Sequence, residues 1–323
     1  MKNSIIHYSV GALLYCPANN ESIVNSIING KFGSHFSLAM CLEDTIKDEY
    51  VKEAENKLIN TIQKLYNAKA IREFFLPKIF IRVRNPQQIT DLYERFQDSR
   101  DLITGFIIPK FSLENADKYI DMVRKVNNSS KNIVYMMPIF ESPDIINLRN
   151  RYDILYKLKQ KLDNIEDIVL NIRIGGNDLC HIFGFRRHSD ESIHSLKAIS
   201  GIFSDIITVF GADYVISGPV WEYYNGDNWD TGLIKELKDD RLSGFVGKTV
   251  IHPKQIELVN NAYKVSQKDL DDAKSILNWD SYSHSLVSGS VSRERMNEYK
   301  THSNWALKTI LLAEAFGINT DTP

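Results

Sequence analysis

An eightfold βα barrel, the TIM-barrel architecture of the α/β class, is the fold this sequence predicts. Apolar runs of strand length alternate with amphipathic helical stretches eight times over about 260 residues, the size of such a barrel. Most runs end in acids, arginines, a lysine or an asparagine, the residue types that chemistry at the strands' C-terminal rim requires. A doubly wound open sheet shows the same alternation, and strand count alone does not separate the two.

In chain order, Val10 to Cys16 is the first strand, stopped by Pro17. Asn19 or Asn20 caps a helix in which Ile23, Val24, Ile27 and Ile28 recur at helical spacing before Gly30 ends it. Phe36 to Leu42 is the second strand, with Glu43-Asp44 directly behind it. A long charged helix from Lys47 to Asn67 buries Val51, Ala54, Leu58, Ile62 and Leu65 on one stripe. Lys78 to Val83 makes strand three, and Gly105 to Pro109 makes strand four, which runs into Lys110. Ser112 starts a helix with Ala116, Tyr119, Ile120, Val123 and Val126 facing inward. Asn132 to Phe140 is strand five; it delivers Glu141 just before a proline break and a helix from Asp144 to Leu162. Ile168 to Ile174 is strand six and leads into the loop Gly175-Gly176-Asn177-Asp178. A helix opened by Ser189-Asp190-Glu191 carries Ile193, Leu196, Ile199, Phe203 and Ile206, and Gly211 stops it. Tyr214 to Ser217 and Thr249 to Ile251 are the last two strands. Between them the aromatic, acidic run from Trp221 to Asp230 is expected to cover the barrel mouth. Pro253 then opens the helix holding Ile256, Val259 and Tyr263. The expected catalytic barrel is therefore 1–265, with 266–323 as a helical extension or lid. The serine- and glycine-rich stretch from Ser281 to Ser292 is expected to be the mobile connection that lets this lid swing.

Lysine plus arginine (39) nearly balances aspartate plus glutamate (41), which favours neither nucleic acid nor an anionic membrane surface as a partner. Cys16, Cys41 and Cys180 are odd in number and contain no CxxC pair, which argues for a reducing cytosol and against a disulfide framework or structural zinc. Met1-Lys2-Asn3-Ser4 leads into no long apolar stretch, and no apolar run approaches membrane-spanning length, so a cytoplasmic location is expected. Gly247-Lys248-Thr249 looks like the end of a P-loop, but Leu242 stands where the first glycine belongs.

The polar residues at the strand ends are Asn19, Glu43, Asp44, Arg82, Arg84, Lys110, Glu141, Asp178 and His252. Two acids on the loops after their own strands, Glu141 and Asp178, can meet above a sheet and hold a divalent cation. Acids, arginines and a lysine on one rim suit an anionic substrate held by a metal. Each residue also has a plainer explanation. Glu43-Asp44 and Glu141 serve equally as acids at helix starts, the arginines as surface ion pairs, and His252 as a structural histidine before Pro253. Their common placement at successive strand ends favours a site. The loop Phe185-Arg186-Arg187-His188 offers a further anion contact, although exposed arginines are the commoner case.

Taken together, the motifs resemble those of citrate lyase beta subunits, malyl-CoA lyases and related carbon–carbon bond lyases. Ala12 to Asn19 resembles that family's opening SLLFVPGN, Cys41-Leu42-Glu43-Asp44 its DLED, and Ile81 to Pro86 its VRVNP. Ile108-Pro109-Lys110 is similar to LPK, Phe140-Glu141-Ser142-Pro143 to IESP, Gly175 to Leu179 to GAEDL, and Gly247 to Ile256 to GKWAIHPSQI. Each motif is degenerate, but seven in the right order along nearly the whole chain are specific. More narrowly, the chain looks like the branch often associated with tellurium-resistance gene clusters.

The resemblance implies a magnesium-dependent lyase or aldolase acting on a 2-oxo or 3-hydroxy acid unit, with acyl-CoA as an optional partner, in a homo-oligomeric (trimeric or hexameric) assembly. By matching motifs, Glu141 and Asp178 ligate Mg²⁺. Arg82, or Arg84 if the register slips, grips a substrate carboxylate and steadies the developing oxyanion. Glu43 and Asp44 position water, while Lys110 and Asn19 contact substrate. Met296-Asn297-Glu298 aligns with a C-terminal acid motif lent by a neighbouring subunit, which makes Glu298 the proton donor or base; a solvated helix glutamate is the plainer explanation. Three departures stand out: Gly11 replaces an arginine at the start of strand one, Cys41 the first acid of DLED, and Asn177 the glutamate of GAED. They weigh against a thioester substrate more than against the metal. Thioester hydrolysis or condensation on a small oxo acid is the first alternative, and a non-catalytic binding or assembly barrel is the second.

Overall fold

Eight parallel strands follow one another around a closed barrel in sequence order. In this computed structural model, which describes residues 2–280 and 285–319, they are β1 (Ala12–Pro17), β2 (Ser37–Cys41), β3 (Lys78–Arg82), β4 (Ile103–Ile108), β5 (Tyr135–Phe140), β6 (Ile172–Ile174), β7 (Ile216–Ser217) and β8 (Lys248–Val250). β8 pairs with β1, and a bridge from Gly218 to Lys248, with Gly218 N–H donating to the Gly247 carbonyl at 3.0 Å, closes the ring between β7 and β8. All eight strands lie where the apolar runs predicted them. The closed ring decides against the open doubly wound sheet.

The helices are α1 (Ile5–Tyr8), α2 (Ile23–Ile28), α3 (Val51–Ile71), α4 (Gln87–Arg95), α5 (Ala116–Ser129), α6 (Arg151–Asp163), α7 (Gly176–Phe183), α8 (Lys197–Phe210), α9 (Trp229–Leu242), α10 (Lys254–Ala262), α11 (Gln267–Leu277) and α12 (Tyr299–Phe316). Alternate strand residues point to opposite faces, so each strand serves two cores. Leu13, Ala39, Phe80, Ile107, Met137, Ile139 and Leu170 fill the barrel interior. Their neighbours Leu14, Leu38, Ile79, Ile81, Phe106 and Met136 pack outward against the helices. Burying each such side chain contributes about 1.5–3 kcal/mol, which makes the alternation strongly register-setting.

Several elements differ from the sequence expectation. The Gly175–Asp178 stretch is not a loop throughout, because α7 begins at Gly176. The segment expected as one helix from Asp144 to Leu162 is a 3₁₀ turn, Pro143–Ile146, followed by α6. Arg151 ties the two together, donating to the Ile145 and Ile146 carbonyls and pairing with Asp205 at 2.8 Å. The helix expected from Ser189 starts only at Lys197, after a short 3₁₀ turn capped by Ser192. α4 carried no expectation; Asn85 Oδ1 accepts from the Gln88 N–H at its start, and Ile89, Leu92 and Tyr93 are buried.

The C-terminal part is tied to the barrel's underside. Strand β9 (Val265–Ser266) pairs in parallel with β12 (Ile318–Asn319), α12 packs on α11 and α1, and Phe316 lies 5.3 Å from the Tyr263 ring. Of the stretch expected as a mobile connection, 281–284 fall outside the described residues. The rest contains β10 (Val287–Gly289), which forms a hairpin with β11 (Met296–Glu298). Ser290 Oγ accepts from the Glu294 and Arg295 N–H groups there, and Arg295 Nε donates to Asp272 at 2.8 Å. Those bonds give the hairpin a defined shape where a structureless link was expected.

Candidate active site

The strands' C-terminal ends frame a cleft of about 350 Å³ lined by Tyr15, Arg82, Glu141, Arg173, Asp178 and Thr249, among others. A larger cavity of about 830 Å³ lies at the opposite end, against Val10, Gly11, Phe36 and Lys78, which precede or open β1 to β3. Size therefore does not locate the site. Barrel chemistry belongs to the C-terminal rim, where the acids converge.

Glu141 follows directly on β5 and is only 3% exposed. Its Oε1 accepts from the Lys110 backbone N–H at 3.0 Å and from Arg82 Nη2 at 3.3 Å. Lys110 has a left-handed backbone (φ 47°), a conformation uncommon for a residue with a side chain. Arg82 Nη2 also meets Glu43 Oε2 at 2.6 Å and Asp44 Oδ2 at 2.9 Å, and the guanidinium lies 5.8 Å from the Tyr15 ring. Lys110 Nζ closes the group, 2.5 Å from Glu43 Oε1 and 3.5 Å from Asp44 Oδ1.

Burial drives the electrostatics of this cluster. It pushes the Glu141 carboxyl up to about 8 against the pull of Arg82, and the negative charge of Asp178 adds to the rise. Glu43 is likewise raised by burial despite Arg82, whereas hydrogen bonding to Glu43 and the charge of Arg82 overcome burial at Asp44 and lower it. Tyr15 is pushed up to about 12 by burial. Asp178, on the first turn of α7, is half-buried, and its carboxylate makes no hydrogen bond or ion pair among the described residues. Gly175 lets α7 approach so closely, since a Cβ there would stand 1.9 Å from Glu141 Oε2. Among the described residues no group of three or more His, Cys, Asp or Glu side chains is set to hold a metal, so a cation here would rest on the two acids.

The structure gathers Glu43, Asp44, Arg82, Lys110, Glu141 and Asp178 around one rim. It leaves out Asn19, which is exposed and does not line the cleft. Arg84 is also outside: β3 ends at Arg82, and Arg84 turns away to pair with Asp48 at 2.7 Å. Glu298 ends the β11 hairpin strand, with its N–H donating to His302 Nδ1, and does not line the cleft of its own chain. His252 stacks 4.7 Å from the Tyr224 ring and accepts from the Lys254 N–H, a structural arrangement. Of the arginine pair, Arg186 lines the cleft beside Glu222, while Arg187 is buried against Glu236 at 3.0 Å and the Trp221 ring. The aromatic run is accordingly split: Trp221 is core, Glu222 lines the cleft, and Trp229 opens α9.

Sequence reasoning missed Tyr15, Arg173 and Thr249. Arg173 had a signal, being a lone charge inside an apolar strand run between Ile172 and Ile174, which face the helices. Behind the site, Lys248 on β8 is fully buried between Glu236 at 2.9 Å and Asp240 at 2.6 Å, and His194 Nε2 lies 2.8 Å from Asp240. That cluster locks α9 to the barrel.

Comparison with known proteins agrees with the architecture. A 54-residue segment is 41% identical to the citrate lyase subunit beta of Haemophilus influenzae and 35% identical to that of Escherichia coli K12. It covers 17% of this chain and 19% and 18% of those proteins, so less than a fifth of each curated relative is matched. CitE of Mycobacterium tuberculosis, solved with magnesium, acetoacetate and coenzyme A, superposes with a TM-score of 0.60 at 18% identity, over 95% of this chain and 99% of that one. RipC of Yersinia pestis gives 0.53 at 14% identity, over 79% and 95%. At such identities these structures establish the fold alone. The family of carbon–carbon bond lyases of the TIM-barrel fold matches residues 4–318, and the chain belongs to that family.

Proposed function

We propose that this chain is a carbon–carbon bond lyase acting on a 2-oxo or 3-hydroxy acid unit, with Glu141 and Asp178 holding Mg²⁺. One observation carries the reading. Two carboxylates from adjacent strand ends line one cleft, one buried and the other without a hydrogen-bond or ion-pair partner among the described residues. Mg²⁺ takes few carboxylates and keeps positions for water and substrate oxygens, so this donor set fits it. When bound, the ion supplies Lewis-acid polarisation of a substrate oxygen.

The chain's own residues do the rest. Arg82, fixed by Glu43, Asp44 and Glu141, sets a positive charge beside the reacting oxygens and stabilises negative charge as it develops there. Lys110 holds Glu43 and, through its backbone N–H, Glu141 in place. In cleavage of a 3-hydroxy acid, the hydroxyl proton passes to water in the cleft and its carbon becomes the oxo carbon. The pair from the broken C–C bond then passes to the departing carbon, which must be protonated. Glu298 is the proposed donor, brought from a neighbouring copy in a homo-oligomer.

The citrate lyase beta subunit of M. tuberculosis has been crystallised with oxaloacetate and magnesium, and CitE of the same organism with magnesium and pyruvate, so these acids are natural probes. Calorimetric titration of Mg²⁺ with pyruvate, glyoxylate or oxaloacetate should give heat in the wild type. Asp178→Ala should abolish metal-dependent oxo-acid binding. Unchanged affinity in that variant removes the site, and no heat with any of these acids favours a non-catalytic barrel. If metal and oxo acid bind, screening acyl-CoA partners by mass spectrometry separates cleavage from thioester hydrolysis or condensation.

A further inference from the structure

Two guanidinium groups face the cleft from inside the barrel, and their surroundings differ. Arg82 is met by three carboxylates within 3.3 Å, so its charge is already answered by the protein. Arg173, 2% exposed, meets only neutral groups: the Thr249 hydroxyl at 2.7 Å from Nη2 and the Tyr15 hydroxyl, with which it is hydrogen-bonded. Its Nε and Nη1 have no partner, and no carboxylate forms an ion pair with it among the described residues. Buried cations are ordinarily paired, because leaving one without a counter-ion is costly. At the floor of a ligand cleft, an unanswered charge marks the place of a group the protein does not itself supply.

The geometry points to Arg173, with the Thr249 hydroxyl and Tyr15 beside it, as the receptor for a substrate carboxylate separate from the oxygens that face Glu141 and Asp178. This rests on the proposed oxo-acid reading and narrows it to an acid with a carboxylate at each end. The separation suits a short molecule: Arg173 precedes Gly175 by two strand residues, about 7 Å along the chain. A carboxylate fits better than a phosphate. Arg173 offers one uncompensated positive charge, while Glu43, Asp44, Glu141, Asp178 and Glu222 crowd the rim above and would repel a dianion.

Oxaloacetate and pyruvate differ by one carboxylate, so their affinities in the presence of Mg²⁺, measured by calorimetry, test the assignment. The wild type should bind oxaloacetate about tenfold or more tightly than pyruvate, the value of one charge-assisted contact. Arg173→Met should bring the ratio towards one and keep or raise the melting temperature, since an unpaired buried charge has gone. Thr249→Val, which keeps the charge but removes its anchor, should narrow the ratio part-way. A second arm omits metal and follows the melting temperature with succinate or propionate. Succinate should stabilise the wild type more than propionate does, and Arg173→Met should lose that difference. If oxo acids fail to bind with Mg²⁺ but the succinate effect depends on Arg173, the lyase reading falls and the carboxylate receptor stands. A ratio unchanged in Arg173→Met, equal responses to succinate and propionate in the wild type, or phosphate stabilising better than succinate overturns the assignment.

Discussion

At Gly175 a methyl group would meet Glu141 Oε2 at 1.9 Å and the Glu141 Cβ at 2.4 Å, so the residue is glycine to let one acid lie against the turn that carries the other. Gly175→Ala should therefore cost about 1–3 kcal/mol from overpacking and displace Glu141, weakening Mg²⁺ affinity as well as the urea midpoint. A variant with wild-type stability and metal affinity would show that the close approach is unimportant. Glu141 and Asp178 were legible in the sequence because each follows an apolar run directly. Arg82 and Arg84 were not separable, since alternation puts both on one face for as long as the strand continues. The strand ends at Arg82, and only the turn towards α4 sends Arg84 out to Asp48.

The pairing of α9 with β8 illustrates the scale of elements. Leu233 and Leu237 mark the inward face of α9, but Glu236 and Asp240 are on that face too and are fully buried against Lys248. Two acids among the core positions break the amphipathic pattern, which is why this helix carried no sequence expectation. Lys248→Ala takes the shared cation from between two buried carboxylates and leaves Glu236 only Arg187 and Asp240 only His194, which should cost about 3–5 kcal/mol in urea denaturation. Loss of under about 1 kcal/mol, the range of an exposed pair, would show that water reaches the cluster. Acid should act on the same element. Burial alone would raise the Asp240 carboxyl, but the Lys248 ammonium and His194 hold it below the usual aspartate range. A carboxyl depressed in the folded state contributes stability that is complete above about pH 4 and disappears as pH falls through its lowered value. Wild type should thus lose part of its stability below about pH 4, and Lys248→Ala should lose less over that interval, as followed by circular dichroism in a denaturant series.

For the whole molecule, the C-terminal part is the open assignment. α12 is fastened to α1 and through Phe316 to Tyr263, beneath the barrel, and no described residue beyond Ile251 lines the cleft. A donor role for Glu298 therefore requires a second copy. Glu298→Gln should spare oxo-acid binding but slow turnover. Co-assembly of Glu298→Gln with Asp178→Ala, each impaired alone, should restore part of the activity if the acid crosses between copies. Light scattering showing only monomer, or no recovery in the mixture, retires the shared site.

The eight strands, most of the helices that cover them and six of the rim residues were determined by the sequence alone, because burial on both faces of a strand leaves continuous apolar runs whose ends are visible. Tertiary structure decided the rest. Whether Arg82 is neutralised, whether Arg173 is not, and which acids are buried among cations depend on partners up to 76 residues away, such as Glu141, 59 residues from Arg82, and Thr249, 76 residues from Arg173. Periodicity reports only whether a position faces water or core. The charge it meets there comes from another strand, and closure of the barrel is what brings that strand near.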